Sequence, residues 1–72
     1  MPIISVVIAE GRTEAMKRKF IRAITAATVD ALGVKPDQVR VMLNELPLGH
    51  YAVAGETFAE RAENAARIKE AS

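Results

Sequence analysis

The sequence predicts an α/β subunit in which two parallel strands flank a crossover helix, with a short hairpin and a second helix behind them. Three observations predict it. An apolar, β-branched run opens the chain; a long segment with apolar residues at three- and four-residue steps follows; an alternating segment comes next. Strand, helix-length connection and strand is the order that a parallel, right-handed βαβ unit requires.

Ile3-Ile4-Ser5-Val6-Val7-Ile8-Ala9 is apolar on both parities apart from one serine. A strand covered on one face alternates, so this one reads as buried on both. Glu10-Gly11-Arg12 turns the chain. Thr13 is placed to cap a helix, and Glu14 puts a negative charge in the first turn, where the helix dipole favours it. From Glu14 to Leu32, Met16, Phe20, Ala23, Ile24, Ala27, Ala31 and Leu32 define one stripe. Gly33 supplies the left-handed residue that ends the helix. After a turn at Pro36-Asp37, Val39, Val41 and Leu43 alternate with Arg40, Met42 and Asn44 in a second strand reaching Leu46. Pro47 to Gly55 mixes turn residues with a few β formers and suggests a loop and a short hairpin. Thr57 and Glu60 form a capping box, and an alanine-rich helix runs from Phe58 to Glu70.

At 72 residues the chain makes one domain, 1–72, with the βαβ unit and hairpin over 2–56 and the added helix over 57–70. So short a chain buries only about 60 % of the surface its unfolded form exposes, and a core of this size seldom supplies more than roughly 3–5 kcal/mol. There is no cysteine, which excludes disulfides, and a single histidine speaks against a Cys/His metal site. Oligomerisation is the remaining route to stability. Packing demands it too, because two strands and one amphipathic helix cannot cover a strand that is apolar on both faces. The opening run lacks the basic flank and cleavage site of a signal peptide and falls far short of the ~20 residues that span a bilayer. A net charge of +1 gives no reason to expect nucleic acid or an acidic membrane as partner. The cluster Lys17-Arg18-Lys19 with Arg22 reads as a solvated helix face, Glu14 pairing with Arg18 across one turn. The expectation is a cytoplasmic protein.

Five residues carry the chemical reading. Pro2 follows the start methionine. It either begins a strand, where a missing N–H costs nothing, or becomes the chain terminus once Met1 is trimmed and carries a free secondary amine. Burial and nearby arginines both lower such an amine's pKa and make it a base near neutrality. Arg12 sits at the start of the helix, where the dipole disfavours a cation, and Arg40 lies within the second strand. Either they form salt bridges to Glu10 or Glu45, or they await carboxylates, which arginine grips with two parallel hydrogen bonds. Tyr51, in a glycine-rich loop, is a core residue or a pocket wall; His50 beside it reads as exposed.

Met-Pro-Ile at the start, Glu-Gly-Arg-Thr after a strand, Val-Arg-Val in the second strand and Gly-His-Tyr before Ala-Gly-Glu together resemble the 4-oxalocrotonate tautomerase family over Pro2 to Glu56. The resemblance implies small βαβ subunits assembled as hexamers, trimers of dimers. It implies a catalytic Pro2, with Arg12 and Arg40 reaching one pocket from different subunits, and it needs neither metal nor cofactor. The substrate class implied is a small unsaturated dicarboxylate such as 2-hydroxymuconate, whose dienol is converted to a conjugated ketone, Pro2 moving the proton while the arginines hold the carboxylates. The family's pocket phenylalanine falls on Tyr51. Gln38 stands where some members carry a small hydroxyl residue near the substrate, and the added helix lies beyond the point where many relatives end. Two alternatives compete: hydration or dehalogenation of a haloacrylate by a protonated Pro2, for which no evident water-activating carboxylate is present, and a non-catalytic oligomeric module.

Overall fold

The structure, a computed structural model, describes residues 1–71, and side-chain surroundings as far as Ala65. β1 (Ile3–Ala9) and β2 (Arg40–Leu46) form a parallel pair joined by helix α1 (Glu14–Leu32), and the register runs from Ile3 opposite Arg40 to Ala9 opposite Leu46. A 3-10 turn at Pro36–Gln38 leads into β2, and another at Leu48–His50 leads out of it. The short strands β3 (Ala52–Val53) and β4 (Glu56–Thr57) make an antiparallel hairpin, and α2 (Phe58–Ala71) follows directly. The α/β fold with parallel strands, hairpin and C-terminal helix is the one the sequence predicts, and β2 begins one residue later, at Arg40.

The helix ends behave as their residues dictate. The Thr13 hydroxyl accepts a hydrogen bond from the Met16 N–H at 3.2 Å, filling one of the donors that a helix start leaves unpaired. Gly33 closes α1 in the left-handed conformation (φ 66°), its N–H donating to the Val29 carbonyl. At α2 the capping box is complete: the Glu60 N–H donates to the Thr57 hydroxyl oxygen at 3.1 Å, and the Thr57 N–H donates to the Glu60 carboxylate at 3.3 Å.

Two sequence expectations about α1 are corrected. Glu14 pairs with Lys17 (2.8 Å), not with Arg18, because Lys17 also bonds Glu45 on β2 at 2.7 Å and so stands between two carboxylates. The half-covered face of α1 carries Ile21, Ile24, Thr25, Thr28 and Val29, against Ile4, Val6 and Ile8 of β1 and Val41 and Leu43 of β2. The Thr25 and Thr28 hydroxyls remain tolerable there by donating to the carbonyls one turn back. Of the stripe read from the sequence, Met16, Phe20, Ala23, Ala27, Ala31 and Leu32 stay exposed. Most of that stripe lies about 130° around the helix from the covered face. The apolar arc of α1 is therefore wider than one stripe, and the subunit uses only part of it.

The other face of the sheet is bare. Ile3 and Val7 are 64 % and 58 % exposed, with Met42 beside them, and no described residue is fully buried. The radius of gyration is 17.0 Å, against about 11 Å for a compact chain of this length. A sheet with one apolar face open is half of a layered structure.

Candidate active site

Pro2 and Arg40 lie at one end of the β1–β2 pair. The Arg40 N–H donates to the Pro2 carbonyl at 3.0 Å, so the ladder itself fixes their backbones side by side. Pro2 is half-buried and lines an open apolar cavity of about 400 Å³ with Ile4, Ile24, Ala27, Ala31 and Leu32. The Arg40 guanidinium curls back to donate to the Asp37 carbonyl, and the Gln38 side-chain oxygen accepts from the Lys35 N–H at 2.9 Å. Gln38 thus closes its own 3-10 turn, two residues before Arg40.

Arg12 and Tyr51 lie at the opposite end, beyond the carboxyl ends of the strands, where open α/β sheets ordinarily receive ligands. There Val7, Ile8, Ala9, Arg12, Leu46, Tyr51 and Phe58 line a cavity of about 280 Å³. One Arg12 N–H donates to the Ala9 carbonyl at 3.0 Å, which orients the guanidinium over the end of β1. Tyr51 is 44 % exposed, and its ring meets Phe58 edge to face, with centroids 4.5 Å apart. The sequence gives Phe58 only as the first residue of the second helix and no part in the site; its position just inside the capping box is the signal that it can reach the hairpin.

Among the described residues neither Arg12 nor Arg40 forms an ion pair. The glutamates that could have neutralised them are engaged elsewhere: Glu10 accepts from the Leu48 N–H at 3.2 Å, and Glu45 holds Lys17. Hydrogen bonds to Glu14 and Glu45 raise the Lys17 ammonium above its ordinary pKa, and the hydrogen bond from Lys17 lowers that of Glu14. Both arginines are left with donor capacity facing solvent, which suits an incoming anion. His50 is exposed in its 3-10 turn and lines neither cavity. Among the described residues no cluster of three potential metal ligands occurs, and no helix is long and apolar enough to cross a membrane.

Along β1 the seven steps from Pro2 to Ala9 span about 23 Å. Within one subunit, Pro2 and the Arg12–Tyr51 cavity therefore cannot serve one small molecule.

Residues 2–61 match the family model described as tautomerase enzyme. The chain is 50 % identical over 62 residues to a probable tautomerase of Bradyrhizobium diazoefficiens, covering 86 % of this chain and 92 % of that one. It is 38 % identical over 56 residues to the 2-hydroxymuconate tautomerase of Pseudomonas sp. strain CF600, covering 78 % and 89 %. Among solved structures it resembles a 4-oxalocrotonate tautomerase isozyme of Methylibium petroleiphilum, with a TM-score of 0.84, 49 % identity and coverage of 88 % and 98 %. A heterohexameric 4-oxalocrotonate tautomerase of Chloroflexus aurantiacus is similar at a TM-score of 0.79 and 33 % identity, covering 83 % and 97 %.

Proposed function

From the premise that the chain belongs to the tautomerase family, we propose that it is a cofactor-independent isomerase that converts 2-hydroxymuconate-like dienols to conjugated oxo acids in a site shared between subunits. The observation that carries this reading is the pair of arginines, Arg12 and Arg40, each beside a strand end without a carboxylate partner among the described residues. Two such cations suit a substrate with two carboxylates.

Met1 is 76 % exposed and precedes a small residue, so its removal is unobstructed and frees the Pro2 amine. The neutral ring nitrogen of Pro2 takes the proton of the dienol hydroxyl, the electron pair moves along the conjugated chain, and the same proton is delivered to a carbon further on. Arg12 and Arg40 from neighbouring subunits bind the carboxylates; the one nearer the carbon end draws electron density toward itself as charge develops. Tyr51 lines the pocket beside Arg12, and Gln38, two residues before Arg40, is assigned as a further binding residue. Holding a planar diacid between fixed groups supplies orientation. The hydratase or dehalogenase alternative is disfavoured because Glu10 and Glu45 are both engaged and neither stands as a base for water.

Replacing the amine tests the reading. Pro2→Ala, which leaves a flexible primary amine of higher pKa in place of the ring nitrogen, is expected to lower kcat for 2-hydroxymuconate by about 10²-fold, the low end of a general base's contribution, with the ultraviolet spectrum following ketonisation. An unchanged rate, or an intact mass showing Met1 retained on the active protein, rejects Pro2 as the base.

A further inference from the structure

Phe58, at the start of the added helix, touches Tyr51 and nothing yet explains why an aromatic residue stands there. We propose that Phe58 is a positioning residue: it fixes the Tyr51 ring as the wall of the Arg12 cavity, so that the C-terminal helix takes part in substrate binding through its first turn. This rests on the reading of that cavity as half of the active site.

Four observations converge on it. The hairpin register pairs Ala52 with Thr57 and Val53 with Glu56, and one further step sets Tyr51 opposite Phe58. That step is made: the Phe58 N–H donates to the Tyr51 carbonyl at 2.9 Å. The bond also satisfies one of the donors left over at the helix start. The Thr57–Glu60 capping box then sets the helix to begin at Phe58, which holds the ring's backbone in place. The ring meets Tyr51 at an interplanar angle of 72°, the edge-to-face arrangement that aromatic quadrupoles favour. Finally, Phe58 has a second brace. The Arg61 guanidinium lies 5.8 Å from its ring centroid and is itself held by Glu56 at 3.0 Å.

Without this brace, a half-exposed tyrosine in a loop would sample several rotamers, and some of them would open the cavity beside Arg12 to water. Binding would then have to order the ring, which raises the apparent dissociation constant without touching the proton transfer. The predicted signature is therefore a change in KM rather than in kcat.

The chain has one tyrosine and no tryptophan, so its near-ultraviolet circular dichroism in the tyrosine band reports Tyr51 alone. Phe58→Leu is expected to collapse that band and to raise KM for 2-hydroxymuconate about fivefold with kcat little changed, the scale of one aromatic pair. Phe58→Tyr, which keeps a ring, restores KM; because it adds a second tyrosine to the band, KM alone is its readout. Phe20→Leu, an aromatic change on α1, leaves the tyrosine band intact. Should Phe58→Leu keep the wild-type band, the proposal is overturned whatever KM does, since Phe58 then acts only as part of the cavity lining. A fall in kcat at constant KM also overturns it, since that places Phe58 in the chemical step. If the wild-type protein turns over no dienol, the functional reading fails, while the dichroism still decides whether Phe58 holds Tyr51.

Discussion

Ala54 occupies backbone space that glycine or asparagine ordinarily fills. With Gly55 it forms the two-residue connection between β3 and β4, and both residues have positive φ, 54° and 81°. A two-residue hairpin turn matching the twist of its strands needs this pair of conformations, and an L-residue with a Cβ pays for the first of them. Ala54→Gly relieves the Cβ clash but loosens the unfolded chain, for a net gain of about 0.5–1 kcal/mol. The urea midpoint at fixed chain concentration is expected to rise, and a fall would mean that the alanine methyl makes a contact in the assembly. The turn matters to function because the hairpin register is what brings Tyr51 opposite Phe58.

At the scale of elements, Lys17 joins α1 to β2. Its side chain is 15 % exposed and bridges Glu14 in the first helical turn and Glu45 near the end of the strand. The directions of the linked pKa shifts set the pH window. Glu14 has its folded pKa lowered from 4.5, so its contribution is present above that value and is lost as pH falls through the lower folded one. Lys17 has its folded pKa raised from 10.5, so its contribution is complete below that value and is lost as pH rises through the higher folded one. Lys17→Met removes both dependences. In a thermal-melt series from neutral to acid pH, the variant is expected to lose less stability between about pH 5 and 3 than the wild type does. Equal acid sensitivity in the two proteins would contradict the bridge.

At the scale of the whole molecule, the decisive fact is separation. Pro2 with Arg40 and Tyr51 with Arg12 sit at opposite ends of the β1–β2 pair, and the bare sheet face and the unused flank of α1 give a second subunit somewhere to dock. Tautomerases of this fold assemble, the Chloroflexus aurantiacus relative as a heterohexamer. For this chain the number of subunits is proposed to be six, in line with the family resemblance. A shared site predicts complementation. Pro2→Ala and Arg12→Ala are each expected to be nearly inactive, yet equal amounts unfolded and refolded together should recover about a quarter of wild-type activity, because random mixing restores that share of sites in a symmetric oligomer. No recovery in mixed oligomers would place Pro2 and Arg12 of one chain in the same site.

The order of elements, both caps of α1 and the capping box of α2 were legible in the residues, since each depends on neighbours within a few positions: Thr13 with Met16, Gly33 with Val29, Thr57 with Glu60. Local physics wrote them into the chain. The family, too, could be read from short motifs at fixed spacing. What the chain alone left open depended on contacts distant in sequence. Arg12 and Arg40 could be ion-paired or free until the fold spent Glu10 on Leu48 and Glu45 on Lys17. The apolar arc of α1 could face the sheet at several angles, because periodicity gives the width of a stripe but not the neighbour it meets. The Tyr51–Phe58 contact came only from the hairpin register. The residues determined which elements form and where they stop; tertiary packing decided which charges stay unpaired, because pairing is settled by distances that no spacing along the chain specifies.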